Sequence, residues 1–431
     1  MSEAQNPYGG GPGTGITLPP YFKPTPYLKN NNFYYPGVEE IGPDEMRISF
    51  VGSCPWPPRR NQAGTSIMVE LGNGDLFFFD LGNGAIHNII AMGIPPALIN
   101  DIFITHLHAD HYADLPYMLP FTAMSGRYKP LRVTGPSGRT QRLGTQAMVD
   151  NMREMLCWHI EEFDNLPVGD GFEVDVTEFD FRDENGICYE KNGVTVRHWP
   201  RSHGKDGASA FRLDWNGLSF VWTGDGRPDE LTVKYSQGVD VFVTEMQGDL
   251  AQLMALKTGF PPALYNYIID THHTPHFAAG YLFKEINPRI AMATHLEYEP
   301  GLDAEIMAGI RTHWDGLFVL GAPDVQVVNV TKDAVWAREA VLPELGNASS
   351  LTPAQMLKAF ELDEIPDVVE FPPVRFPREE QQIEYLREIE IDPSKYNPED
   401  VDRELVLEMP PVRFNLKQMM AARDQDKNQS E

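Results

Sequence analysis

Four residues able to bind a metal, His106, His108, Asp110 and His111, fall within six positions of the segment Phe103-Ile-Thr-His-Leu-His-Ala-Asp-His-Tyr-Ala-Asp-Leu-Pro116. The apolar run Asp101-Ile-Phe-Ile-Thr105 reads as a strand leading into it, and Asp110 onward has the spacing of a helix start. The cluster therefore belongs at the carboxyl end of a strand, where open α/β sheets build their sites. Imidazole nitrogens and carboxylates suit a borderline divalent ion. His106 and His108, two apart, can project the same way from extended chain, while Asp110 and His111 face a second position. A lone histidine is usually an ordinary core or surface residue. Burying four ionisable groups together without an ion would carry a large desolvation cost.

The pattern His-x-His-x-Asp-His resembles the signature of the metallo-β-lactamase superfamily, and three later segments are similar to further elements of it: Arg201-Ser-His-Gly204, Trp222-Thr-Gly-Asp-Gly-Arg-Pro228 and Met292-Ala-Thr-His-Leu296. The resemblance covers residues 47–330, roughly, and implies an α/β fold, an αββα sandwich with extended N- and C-terminal arms. It also implies a two-ion site, with His106, His108 and His203 on one ion, Asp110, His111 and His295 on the other, and Asp225 bridging. By position alone His198, in a strand five residues before His203, competes for the third-ligand place. The ions expected are two divalent metals, zinc first, with manganese or iron compatible with the same ligands.

Gly224-Asp-Gly-Arg-Pro228 and Thr271-His-His-Thr-Pro-His-Phe-Ala-Ala279 resemble the tRNase Z and arylsulfatase-like branch of that superfamily. On that register His272 is the auxiliary histidine, acting as the catalytic acid, and Glu245 is the carboxylate that orients it; because His272, His273 and His276 are close together, the register can slip by one. Asp110 joins them by orienting a hydroxide held between the ions. Asp80, in Asp80-Leu-Gly-Asn-Gly84, resembles a loop residue that supports a ligand histidine rather than binding metal.

The activity implied is hydrolysis of an ester-type or activated aryl ether bond in a small organic substrate, with a tRNase Z-like phosphodiesterase acting on RNA as the alternative. A non-catalytic scaffold is disfavoured because no ligand of the set is missing. Nucleic acid is disfavoured as a partner by 62 acidic against 35 basic residues, a net charge of −27 that repels polyphosphate at long range. Lys205 and Arg227 follow ligand residues and are candidates to meet an anionic group, and Trp56, Trp158 and Trp199 are candidates for an aromatic pocket wall. His159 reads as a surface or core residue.

A strand pattern runs through 47–51, 66–70, 76–80, 131–134, 172–176, 194–198, 208–213, 218–222, 239–244 and 289–294, with helices over 140–155 and 277–285. This divides the chain into a Pro/Gly/aromatic N-terminal arm (1–45), a catalytic domain (46–340) and an acidic C-terminal extension (341–431). The extension repeats Phe371-Pro-Pro-Val-Arg-Phe376 as Met409-Pro-Pro-Val-Arg-Phe414, around a helix-like stretch over 379–390. Such arms lack the composition of an independent core, so a homo-oligomer assembled through them is expected. Cys54, Cys157 and Cys188 show neither zinc spacing nor a disulfide framework. With no secretory signal and no membrane-spanning run visible, the expected compartment is the cytoplasm.

Overall fold

The computed structural model describes residues 33–343 except 38, 56–58, 164–167, 249–250 and 300, together with short pieces of the C-terminal stretch. In chain order the strands are β1 (Phe33–Tyr34), β2 (Met46–Gly52), β3 (Ser66–Leu71), β4 (Leu76–Phe79), β5 (Asp101–Phe103), β6 (Leu131–Pro136), β7 (Val174–Phe179), β8 (Gly186–Lys191), β9 (Val194–Pro200), β10 (Ser209–Trp215), β11 (Leu218–Trp222), β12 (Val241–Glu245), β13 (Ile290–Thr294), β14 (Phe318–Leu320), β15 (Gln326–Val330) and β16 (Val335–Ala340). One sheet runs β1-β16-β15-β2-β3-β4-β5-β6-β7 and the other β14-β13-β12-β11-β10-β9-β8.

Strand alternation explains why two sheets pack face to face with helices outside. Along β2 and β3, Met46, Ile48, Phe50, Ile67, Val69 and Leu71 point into a core shared with Val241, Val243, Ile290 and Met292 of β12 and β13. The intervening Met68 and Phe78 join Ile86, Ile89, Leu119 and Val149 under one helical layer. Phe242, Ala291 and Ala293 join Leu282, Phe283, Ile306 and Ile310 under the other. Both faces of each central strand are covered, so these strands read as continuous apolar runs, and the product is an αββα sandwich. Beneath the site the sheets are pinned by Phe79, which stacks on Phe103 at 5.0 Å and meets Phe220 edge-on at 5.2 Å.

The strand polarities place every site loop on one edge. β4, β5, β6 and β7 are mutually parallel, as are β11, β12, β13 and β14. β9 is antiparallel to β10, which is antiparallel to β11, so β9 ends on the same side as β11. The carboxyl ends of β4, β5, β9, β11, β12 and β13 thus open towards each other, and the Ser209 amide donates across to the Thr105 carbonyl at 3.0 Å.

Some elements differ from the sequence expectation. The single helix expected over 140–155 is a 3-10 turn at Gln141–Leu143 followed by helix α4 (Thr145–Met155). Gly144 between them is extended, and a Cβ there would lie 2.3 Å from the Glu178 carboxylate that receives the Gln146 amide. The strand expected at 172–176 starts at Val174 and runs to Phe179. Two unanticipated helices, Ala251–Thr258 and Pro262–His272, leave Leu256, Leu264 and Tyr267 exposed, and the second has no buried residue to mark a stripe. Tyr34 is buried against β16, with the Arg47 guanidinium 4.6 Å over its ring. The aromatic tract's end is thereby anchored on the domain's own sheet.

Short strands at the ends of the twin segments and just before them pair with each other. Val368–Glu370 is antiparallel to Arg413–Asn415, and Arg375–Pro377 to Val406–Glu408, with Val368 opposite Asn415 and Pro377 opposite Val406. Arg413 and Phe414 of the second repeat thus face Glu370 and Val369, and Arg375 and Phe376 of the first face Glu408 and Leu407, so each repeat's end pairs with the residues preceding the other. Residues 1–32, the 379–390 stretch and Trp56 lie outside the described residues.

Candidate metal centre

The chain leaves β5 extended through His108 and enters a short helix, Ala109–Tyr112. That change of conformation turns His106 and His108 one way and Asp110 and His111 another. Gly82 lets the motif sit close, since a Cβ there would lie 2.1 Å from the Asp110 carbonyl oxygen. Asp80, beyond β4, supports the motif from beneath. It receives the His111 Nδ1–H at 2.8 Å, the Thr105 amide at 2.8 Å and the Trp222 indole N–H at 2.8 Å. His111 Nε2 is thereby turned towards the site.

The other sheet contributes one residue per loop. His203 follows β9, Asp225 follows β11, Glu245 ends β12 and His295 follows β13 with φ of 56°. His108 Nδ1 lies 3.0 Å from His106 Nε2 and 3.1 Å from His203 Nε2. Asp225 Oδ2 lies 3.8 Å from His106 Nε2, 3.7 Å from His203 Nε2, 3.4 Å from His111 Nε2 and 3.3 Å from His295 Nε2. Asp110 Oδ2 is 3.2 Å from His295 Nε2 and 3.6 Å from His111 Nε2. Donors bound at about 2.0 Å to a tetrahedral ion lie roughly 3.3 Å apart, so these spacings fit the edges of coordination polyhedra. The structure brings all seven expected ligands into two adjoining groups, His106/His108/His203/Asp225 and Asp110/His111/His295.

The donor set passes a further test. His111 Nε2 and Asp225 Oδ1 are buried without a hydrogen-bond partner, an arrangement that costs free energy unless another group completes it. Burial holds His106 well below the usual imidazole range and His203 down to about 4, despite the nearby Asp225 charge. Both are therefore neutral, the form that ligates metal. Asp110 is held down to about 2: burial opposes its ionisation, but His111 and the bond to His295 outweigh it.

Glu245 and the neighbouring histidines depart from the expected register. His273, not His272, donates through Nδ1–H to Glu245 Oε1 at 3.1 Å. The same oxygen receives the Gly226 and Thr274 amides, both at 3.1 Å, so Glu245 ties the Asp225 loop to the His273 loop. Burial opposes the charged imidazole, but the Glu245 carboxylate lifts His273 to about 9. His272 ends helix α8 (Pro262–His272); its carbonyl accepts the His203 Nδ1–H at 2.6 Å, and its ring binds the Thr271 hydroxyl. The helix runs through His272, one residue further than the expected loop register allows, so His273 is the first residue free to reach Glu245.

The other sequence candidates separate clearly. His198 packs on Phe179 at 3.7 Å between ring centroids, away from the metal groups. Trp199 is fully buried, with its indole N–H on Thr232, so it is core rather than pocket wall; Trp158 is 74% exposed. His159 lies among Phe163 and Phe172. Lys205 lines a cavity of about 540 Å³ beside the first metal group, whereas Arg227 does not. Sequence reasoning missed Gln247, whose amide donates to the His295 carbonyl at 2.7 Å, and Arg201, which braces the Gly226 carbonyl at 2.9 Å. The cation beside His203 in Arg201-Ser-His-Gly204 was the available signal for Arg201.

A two-group histidine/aspartate centre on the shared edge of an αββα sandwich defines a metal-dependent hydrolase of this fold. Residues 92–296 match the family model described as a beta-lactamase superfamily domain. A ribonuclease Z of Mycobacterium marinum is 27% identical over 277 residues, covering 63% of this chain and 91% of that protein. A ribonuclease Z of Methanococcus maripaludis is 41% identical over 92 residues, 21% of this chain, and the match spans only 30% of that relative's length. The crystal structure of the metallo-beta-lactamase fold protein YhfI from Bacillus subtilis superposes with a TM-score of 0.49 at 17% identity, covering 67% of this chain and 100% of that one. These matches support the metallo-β-lactamase superfamily, tRNase Z branch.

The relatives overturn one expectation. A small organic substrate with nucleic acid disfavoured conflicts with similarity to proteins named ribonuclease Z. Net charge misled because it sums the whole chain, whereas charges more than about 10 Å from a bound strand are largely screened at 0.1 M salt. Among the described residues no helix is long and apolar enough to cross a membrane.

Proposed function

We propose that the protein is a phosphodiesterase that cleaves RNA, as the name ribonuclease Z of its relatives suggests. The observation that carries this reading is the match along 91% of the Mycobacterium marinum protein, taken with a charged His273–Glu245 pair beside the metal groups. Two divalent ions, zinc first, would be held by His106, His108, His203 and Asp225 and by Asp110, His111 and His295; when bound they supply Lewis acidity and an activated water. Asp110 and Asp225 accept hydrogen bonds and hold an attacking water in line. His273, fixed through Nδ1 by Glu245, has Nε2 free to give its proton to the departing ribose oxygen. A ribose alkoxide is a poor leaving group, so this proton transfer matters more for RNA than for an activated aryl ester.

The test is incubation of the purified protein, loaded with zinc, with an end-labelled precursor tRNA and a single-stranded RNA. Endonucleolytic cuts abolished by chelation are expected. No RNA cleavage by protein that still hydrolyses bis(p-nitrophenyl) phosphate would overturn the reading. Three cysteines without disulfides support a reducing compartment, the cytoplasm. We also propose that the C-terminal repeats serve assembly, a reading supported by the antiparallel pairing of each repeat's end with the residues preceding the other, which a second copy could offer equally well.

A further inference from the structure

The cavity beside the first metal group is not lined as an RNA backbone channel would be. It is floored by His106, His108 and His203, and one wall is a face of α4, where Met148, Met152 and Met155 recur at helical spacing. Met152 is buried, but Met155 is 64% exposed and Leu143, on the same wall, 39% exposed. Large apolar side chains left open to solvent beside a catalytic centre mark a surface that something covers. Arg142 and Lys205 also line the cavity, and neither has a carboxylate partner among the described residues.

We propose that this cavity is a subsite for one nucleobase, that of a nucleotide flanking the scissile phosphate, with Met148, Met152, Met155 and Leu143 packing on the base and Arg142 and Lys205 meeting the adjoining phosphates. The proposal rests on the RNA-cleaving reading above. A phosphorus held beside His106, His108 and His203 places the next nucleoside in this cavity, whose volume of about 540 Å³ suits a group of that size. Thioether sulfur packs favourably on an aromatic ring without reading its edge. The subsite therefore requires a base but not a particular one, and the cations are matched to the charges on either side of that base.

The test uses the zinc-loaded full chain and RNA substrates in which the base on the 5′ or the 3′ side of the cleavage point is replaced by an abasic ribose. In the wild type, removing the base on one side raises KM about tenfold with little change in kcat, as the loss of about 1.4 kcal/mol of packing would. Exchanging that base for any other changes KM less than twofold. Met155→Glu, at an exposed position that should leave folding intact, and Met148→Ala raise KM for intact RNA to a similar extent. Both variants lose the wild type's sensitivity to the abasic site, while metal content and thermal melting stay at wild-type values. Wild-type protein that cleaves RNA but tolerates abasic sites on both sides within twofold overturns the subsite alone. Wild-type protein that cleaves no RNA overturns the functional reading and the subsite with it.

Discussion

The two sides of the metal centre are built by opposite strategies. On the β5 side, four donors lie in six consecutive residues and one buried carboxylate, Asp80, fixes the motif from below. On the opposite side, His203, Asp225, Glu245, His273 and His295 come one at a time from separate loops, held together by cross-loop bonds through Glu245, Arg201 and Gln247. The first side depends on local backbone geometry, and the second on the registration of four strands. A local motif tolerates tertiary adjustment, whereas a distributed one shifts roles when a helix runs one residue further, as between His272 and His273.

The largest effect should come where the two sides meet. Asp225→Ala removes the carboxylate within 3.8 Å of four histidine nitrogens, so metal content by plasma emission should fall below that of wild type and turnover to background. Metal retention at wild-type level would show that each side holds its ion alone. Next, His273→Ala should lower kcat on RNA by about 10²–10⁴-fold, the usual contribution of a positioned acid, with metal content unchanged. On the local side, Asp80→Ala should weaken metal affinity by about 10–100-fold, as expected for loss of a residue orienting a ligand histidine. His272→Ala should stay within about tenfold of wild type, since its bond to His203 is made by the backbone carbonyl and an acid's loss would cost more. Equal losses in the His272 and His273 variants would erase the distinction between them. The smallest catalytic effect is expected on removing residues 345–431: activity should be retained while the mass from light scattering falls, and an unchanged mass would remove the assembly role.

Legibility followed the same division. The motif from His106 to His111 could be read because its chemistry and its strand-to-helix setting are both local, whereas Asp80 was reached through the likeness of its loop to the family's. His203, Asp225 and His295 were reached through family likeness, because nothing in their own neighbourhoods separates them from His198, which instead packs on Phe179. The strands of the two sheets followed from apolar runs covered on both faces, whereas the helices over 251–272 did not, since Leu256, Leu264, Tyr267 and Ile268 stay exposed. Composition failed on the partner because a summed charge says nothing about the cavity where Arg142 and Lys205 lie.

By itself the sequence determined a cluster of metal-type donors at a strand's carboxyl end, because donor type and strand-end position are properties of short segments, while the αββα layering was reached through family resemblance. Only the tertiary structure decided that Glu245 holds His273, that Trp199 is core, and that a methionine face on α4 walls the approach to the metals. Those outcomes depend on where helices end and which loops converge, and both are set by packing between residues far apart in the chain.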